Sequence, residues 1–168
     1  DKKSLPCWSP AIYEAGVKRG NANVTSITAL VYDFDHKVRH IDMMMMHLNA
    51  VGVAYIVHST WSHSASEHRY RVILFLSKEV EPAKYEDAWG YGLSLIGYNA
   101  GVDMQARNIS RHYALPAHCD GGEYRIGINL EADPLDIDSI PTTPTVPTTA
   151  AAKTTTAQSS SLNADTMV

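Results

Sequence analysis

The spacing of hydrophobic and polar positions changes several times along this chain, and each change predicts a different element. Ile27-Thr28-Ala29-Leu30-Val31-Tyr32-Asp33-Phe34 is rich in strand formers and predicts a first strand over those residues. From Val38 to Val51 the spacing turns helical, with Ile41, Met44, Met45 and Leu48 on one face and Gly52 at the end. The Met43 to Met46 run is expected to fill the core with flexible side chains. Val53 to His58 predicts a second strand, Trp61 to His68 a polar loop, and Tyr70 to Leu76 a third strand. Glu81-Pro82 opens a second helix that runs to about Ile96, with the proline suited to its first turn. Arg111 to Leu115 predicts a short fourth strand closed by Pro116, and Glu123 to Asn129 a fifth.

This β-α-β-β-α-β order is that of the split βαβ, or ferredoxin-like, arrangement: an α+β domain with an antiparallel sheet, helices on one face and the other face open to a ligand. The fold hosts RNA-binding modules, small-molecule sensors, endonucleases and polymerase palms, so the polar residues have to decide the function.

Composition narrows the setting. The chain has 168 residues, 45% of them hydrophobic, which fits one domain with a real core. The formal net charge of -4 argues against an electrostatic sponge for nucleic acid, while a local basic groove remains compatible with it. No apolar run is long enough to span a membrane and no signal-peptide pattern opens the chain, so a cytoplasmic location without a membrane partner is expected. Cys7 and Cys119 lie far apart without metal-type spacing and are expected to be reduced rather than bridged. From Pro141 to Val168 the chain is dominated by Thr, Pro, Ala and Ser and predicts a disordered linker or tail, leaving residues 1–140 as the folded domain. A start at Asp1 rather than Met, together with that linker, suggests a piece of a longer protein with a further module after it.

The candidate chemistry begins at the end of the first strand. Asp33 and Asp35 are two residues apart, so on a strand they project side by side from one face. Two carboxylates that close repel, and a cation relieves the repulsion; hard oxygen ligands suit Mg²⁺ or Mn²⁺. Asp103, after Gly101, is either a turn residue or a third carboxylate of the same site. The loop before the third strand carries Ser62, His63, Ser64 and His68, followed by Arg69 and Arg71, a mixture of hydroxyl, imidazole and guanidinium that suits a triphosphate. His63 is preferred among the eight histidines, with His68 second. Arg111, opening the predicted fourth strand, is a candidate second phosphate clamp.

Taken in order, these pieces resemble a known family. Leu5-Pro6-Cys7-Trp8-Ser9-Pro10-Ala11, then Lys18-Arg19-Gly20-Asn21-Ala22-Asn23-Val24, then Ala29 to Asp35, look like the start of plasmid and prophage replication proteins. The likeness continues through Ser62-His63-Ser64, Arg69-Tyr70-Arg71-Val72-Ile73-Leu74, Leu76-Ser77, Tyr85, Trp89, Asp103 and Ser110-Arg111-His112-Tyr113-Ala114-Leu115-Pro116. The primase-polymerase domains of those proteins belong to the archaeo-eukaryotic primase superfamily.

The resemblance implies a polymerase-type palm with an RRM-like sheet. It implies Asp33, Asp35 and Asp103 as holders of two Mg²⁺ or Mn²⁺ ions, and Ser62 and His63 as contacts to the incoming nucleotide. The family pattern is a small residue, any residue, then His; Trp61 stands where the small residue would precede His63, and Ser66-Glu67-His68 fits the spacing literally. Arg69, Arg71 and Arg111 map onto phosphate or template contacts, and many such proteins carry a helicase module downstream. The implied activity is template-directed nucleotidyl transfer, that of a DNA primase or polymerase, using a single-stranded DNA template and nucleoside triphosphates. Lys18, Arg19, Asn21 and Asn23 are candidates for nucleic-acid phosphate contacts, and Trp8 and Trp61 for base stacking. Two other classes stay open: a rolling-circle-type replication endonuclease, for which the chain has no His-hydrophobic-His pair, and a non-catalytic nucleic-acid-binding replication module.

Overall fold

The computed structural model describes residues 2–36, 38–97 and 101–140, and the expected tail lies outside them. In chain order the elements are β1 (Cys7–Trp8), β2 (Ala11–Tyr13), β3 (Val24–Phe34), α1 (Ile41–Val51), β4 (Tyr55–Ser59), β5 (Tyr70–Val80), α2 (Tyr85–Ile96), β6 (Tyr113–Ala114) and β7 (Ile126–Asn129). Five of the strands form one antiparallel sheet in the order β2-β3-β5-β4-β7. The expected α+β class and the adjacency of the first and third predicted strands are both present, as β3 beside β5.

Alternation along β3 explains the two layers. Leu30, Tyr32 and Phe34 face α1 and α2 and belong to the main core, with Tyr70, Val72 and Leu74 of β5 and Tyr55 and Val57 of β4. α1 presents Ile41, Met44 and Leu48 to that core, and Gly52 ends the helix in the left-handed conformation at φ 78°. Met43 and Met46 are exposed, so the methionine run only partly fills the core: Met44 is buried and Met45 half-buried. Helical periodicity accounts for this, because consecutive residues cannot all share one face. α2 follows a 3-10 turn at Pro82–Lys84 and lies close on β3: Trp89 Nε1 donates to the Val31 carbonyl at 3.1 Å, and the Tyr32 hydroxyl donates to the Trp89 carbonyl at 2.7 Å.

The other face of the sheet is partly covered. β1 and β6 pair as a separate two-stranded ribbon, Cys7 opposite Ala114 and Trp8 opposite Tyr113. Under it Ala29, Val31, Ile73, Ala106 and Tyr113 form a second, smaller core, with Trp8 and Ile56 packed against it. The strand expected over Arg111 to Leu115 is therefore shorter than predicted and belongs to this ribbon, not to the sheet. Its place on the outer edge of β3 is shared by two segments: β2 pairs with the first part, and Gly101–Asp103 with the end, through an antiparallel bridge between Phe34 and Val102. Both cysteines are free, Cys7 exposed and Cys119 half-buried. No helix among the described residues is long and apolar enough to cross a membrane.

Candidate active site

The candidate site forms where β3 ends. Asp33 and Asp35 flank the fully buried Phe34, so their side chains share the face opposite the helices. The Asp103 amide donates to the Asp33 carbonyl at 2.8 Å, and the Asp35 amide donates to the Gly101 carbonyl at 3.1 Å. This register sets Asp103 opposite Asp33, on the same face. Gly101 has φ 80°, and a Cβ there would run into the His36 carbonyl and lie 2.6 Å from Val38 Cγ1, so the close approach depends on glycine. All three predicted carboxylates thus arrive on one face of the sheet edge, Asp33 from β3, Asp35 from just past its end and Asp103 from the segment that completes it.

Arginines meet two of them. Arg71 lies opposite Asp33 in the β3–β5 register. Its Nε donates to Asp33 Oδ1 at 2.6 Å and its Nη2 to Oδ2 at 3.2 Å; both side chains are 9% exposed. The remaining terminal nitrogen, Nη1, donates to the Ala114 carbonyl at 2.8 Å, and the guanidinium sits 4.6 Å above the Tyr113 ring. Arg111 donates from Nη2 to Asp103 Oδ2 at 3.1 Å and from Nη1 to Gln105 Oε1 at 3.2 Å. Asp103 Oδ1 accepts from the Gln105 amide at 2.9 Å, capping the 3-10 turn Met104–Arg107. The Asp35 carboxylate has no hydrogen-bond or ion-pair partner among the described residues.

A cleft of about 200 Å³ opens over this group, lined among others by Lys2, Asp33, Asp35, His58, Trp61, Arg71, Arg111 and Tyr113. A second, more open cleft of about 600 Å³ adjoins it, sharing Arg111 and His112 and adding Arg19, Gln105, Asn108 and Ser110. Tyr113 donates to the Ala106 carbonyl at 3.0 Å, and burial pushes its pKa far above the ordinary tyrosine value.

Divalent ions fit the chemistry of the donor set but not its present gathering. Three carboxylates on one face are the hard oxygen donors Mg²⁺ and Mn²⁺ prefer, and an ionised carboxylate has about four lone-pair sites, of which Asp33 and Asp103 each engage two. Among the described residues no group of three or more His, Cys, Asp or Glu side chains is drawn together as a metal cage. The arginines are the physical reason, since each holds a carboxylate against itself.

Other predicted residues lie elsewhere. Ser62 is exposed, and His63 is 1% exposed inside its loop, where Nδ1 accepts from the Arg69 amide at 3.1 Å; neither lines the cleft. Burial lowers the His63 pKa, with the Glu123 carboxylate at 4.0 Å acting against the shift. His68 packs between His63 and His40, its ring tilted by 52° and 55° to theirs at centroid separations of 5.2 and 4.0 Å. Arg69 pairs with Glu67 at 2.7 Å. Arg19 donates to the Ser110 carbonyl at 2.6 Å and borders the second cleft. Asn21 accepts from the Ser110 hydroxyl and Asn23 donates to the Lys18 carbonyl, so both tie loops together, while Lys18 is exposed outside both clefts. Trp8 packs on Tyr113, and Trp61 lines the first cleft. Sequence reasoning passed over His58, whose available signal was strand parity: it shares the alternation of Ile56 across β4 from Arg71.

None of the curated proteins matches the chain. One solved structure similar to it is the AEP domain of the cyanophage S-2L primase-polymerase, with a TM-score of 0.46 and 19% sequence identity over 70% of this chain. The chain spans 59% of the length of that cyanophage chain. The family model of the VapE N-terminal domain matches residues 12–119, well over half of the sequence, and the chain belongs to that family.

Proposed function

We propose that this domain performs template-directed nucleotidyl transfer, as the DNA primase or polymerase unit of a replication protein. The observation that carries the reading is the placement of Asp33, Asp35 and Asp103 on one sheet face, with Asp33 and Asp35 lining a cleft beside Arg71 and beside Arg111, the ion-pair partner of Asp103. Asp33, Asp35 and Asp103 would hold Mg²⁺ or Mn²⁺, which supplies Lewis-acid activation of an attacking hydroxyl and neutralises charge on a leaving pyrophosphate.

The chain's own residues divide the remaining work. Arg71 is engaged by Asp33 and Ala114, so it positions the Asp33 carboxylate rather than reaching for substrate. Arg111 is half-buried at the junction of the two clefts, where its guanidinium meets the phosphates of an incoming nucleoside triphosphate. Arg19 extends the basic lining along the second cleft, toward phosphates of a single-stranded DNA template. His63 shapes the loop from within, and Trp61 borders the first cleft beside the nucleotide.

A non-catalytic nucleic-acid-binding module is the second reading, and the ion pairs Asp33–Arg71 and Asp103–Arg111 favour it, because each leaves a carboxylate already neutralised. A nuclease using a tyrosine nucleophile has less support: the tyrosine at the cleft, Tyr113, is hydrogen-bonded and held protonated. The deciding experiment incubates the chain with single-stranded DNA, nucleoside triphosphates and Mn²⁺ or Mg²⁺. Product that disappears in Asp35→Asn supports nucleotidyl transfer; DNA binding without any incorporation under either metal overturns it in favour of the binding module.

A further inference from the structure

His58 stands in the cleft outside both ion pairs. It lies opposite Arg71 across β4 and β5, and Arg71 lies opposite Asp33 across β5 and β3. Asp33, Arg71 and His58 therefore form a row across three strands on one face. His58 lines the same cleft as Asp33 and Asp35 and is only 2% exposed.

Its hydrogen bonding defines what it can accept. Nδ1 lies 2.8 Å from the Ser59 carbonyl oxygen. A carbonyl only accepts, so Nδ1 carries the proton. Burial, the largest influence on the ring, holds its pKa below the ordinary histidine value and keeps it neutral. Nε2 then presents a bare lone pair, and it has no hydrogen-bond partner among the described residues. A buried acceptor without a donor is destabilising until something supplies one. Phosphate oxygens at neutral pH are acceptors and cannot serve; the neutral donors of a nucleotide are its sugar hydroxyls and base N–H groups. Base donors differ between the four nucleotides, whereas every extendable nucleotide carries a sugar hydroxyl.

We propose that His58 is a recognition residue of this cleft, its Nε2 accepting a hydrogen bond from a sugar hydroxyl of the bound nucleotide. This rests on the nucleotide reading above. It gives the cleft a division of labour: guanidinium for the phosphates, imidazole for the sugar. His58 also becomes a determinant of which sugars are accepted.

The test uses the full chain with Mg²⁺ and three probes, GTP, dGTP and dideoxy-GTP. Affinities are measured by calorimetry for the native chain, His58→Phe and His58→Gln. Loss of one neutral hydrogen bond predicts that His58→Phe binds the hydroxyl-bearing nucleotide roughly tenfold more weakly. Dideoxy-GTP should bind both proteins alike, and His58→Gln, which retains an acceptor, should recover most of the loss. Whether dGTP behaves as GTP or as dideoxy-GTP identifies the hydroxyl. Equal binding of GTP by the native chain and His58→Phe overturns the inference while leaving the nucleotide reading intact. An equal loss for GTP and dideoxy-GTP also overturns it, because packing rather than recognition would then be the cause. Absence of binding by the native chain with every probe removes the nucleotide reading, and this inference with it. Should His58→Phe fail to fold, the native chain labelled with 15N-histidine decides: the Nε2 resonance of His58 shifts with GTP and not with dideoxy-GTP, and identical shifts refute the assignment.

Discussion

Asp33 and Arg71 face each other across neighbouring strands and share two hydrogen bonds, of 2.6 and 3.2 Å, beneath a largely closed surface. Neither partner is independent of the other. Removing one charge leaves the second buried and uncompensated, so Arg71→Met is expected to cost about 3–5 kcal/mol of folding stability. The double variant Asp33→Leu/Arg71→Met should be appreciably less destabilised than the two single losses added together. Urea denaturation of the four proteins in this cycle measures the coupling, and simple additivity would show that the pair contributes nothing jointly.

Asp35 behaves differently because nothing in the described fold leans on its carboxylate. Asp35→Asn should alter stability by no more than about 0.5 kcal/mol, in either direction. The same variant should lose metal-dependent incorporation of nucleotides. Thermal unfolding and primer synthesis, measured on one preparation, separate the two effects; a large drop in melting temperature would assign Asp35 to the scaffold.

Gly92 lets α2 lie close against β3. A Cβ at this position would collide with the Tyr32 hydroxyl and lie 2.9 Å from Leu30 Cδ1. Alanine is the better helix former, yet Gly92→Ala should destabilise by about 1–3 kcal/mol, because Tyr32 also holds the Trp89 carbonyl and cannot withdraw freely. A shift of the urea midpoint to higher concentration would contradict this.

Histidine burial sets a pH dependence. Burial is the main cause of the lowered pKa of His63 and of His68, with the neighbouring histidines adding to the effect at His68. A histidine whose native pKa is depressed binds fewer protons folded than unfolded. Its contribution is therefore fully present above the unfolded value near 6.5 and is lost as the pH falls through the lower native values. Unfolding free energy should decline as the pH drops below 6.5, and His63→Phe should flatten that decline. A flat profile in the native chain between neutral and mildly acidic pH would contradict it.

Much of this was legible in the sequence where the physical signal is local. The strand ending at Phe34, the helix ended by Gly52 and the pair Asp33/Asp35 follow from period and from glycine chemistry. Partners set by long-range register were less accessible. The loop between β4 and β5 is too long to dictate which residues oppose each other, so the His58–Arg71 pairing does not follow from reading either strand. His63 resembles a ligand-facing residue because its neighbours are polar, whereas it is turned inward by the tight loop that hydrogen-bonds it to Arg69. Arg111 to Leu115 carries strand-forming residues, but its partner Cys7–Trp8 is too short to show a period of its own. The Gly101–Asp103 segment has no strand signature, and it pairs with β3 because that edge has amides and carbonyls to satisfy.

Phe34 is fully buried and stacks on Tyr70 at a centroid distance of 5.1 Å, while its two sequence neighbours bear the acidic groups of the cleft. Hydrophobic interior and reactive surface are thus interleaved residue by residue along one stretch of backbone. In a genetic screen, a damaged Phe34 and a damaged Asp35 would share one phenotype, although the ring never meets solvent. Only a variant collection scored for abundance as well as activity would tell them apart.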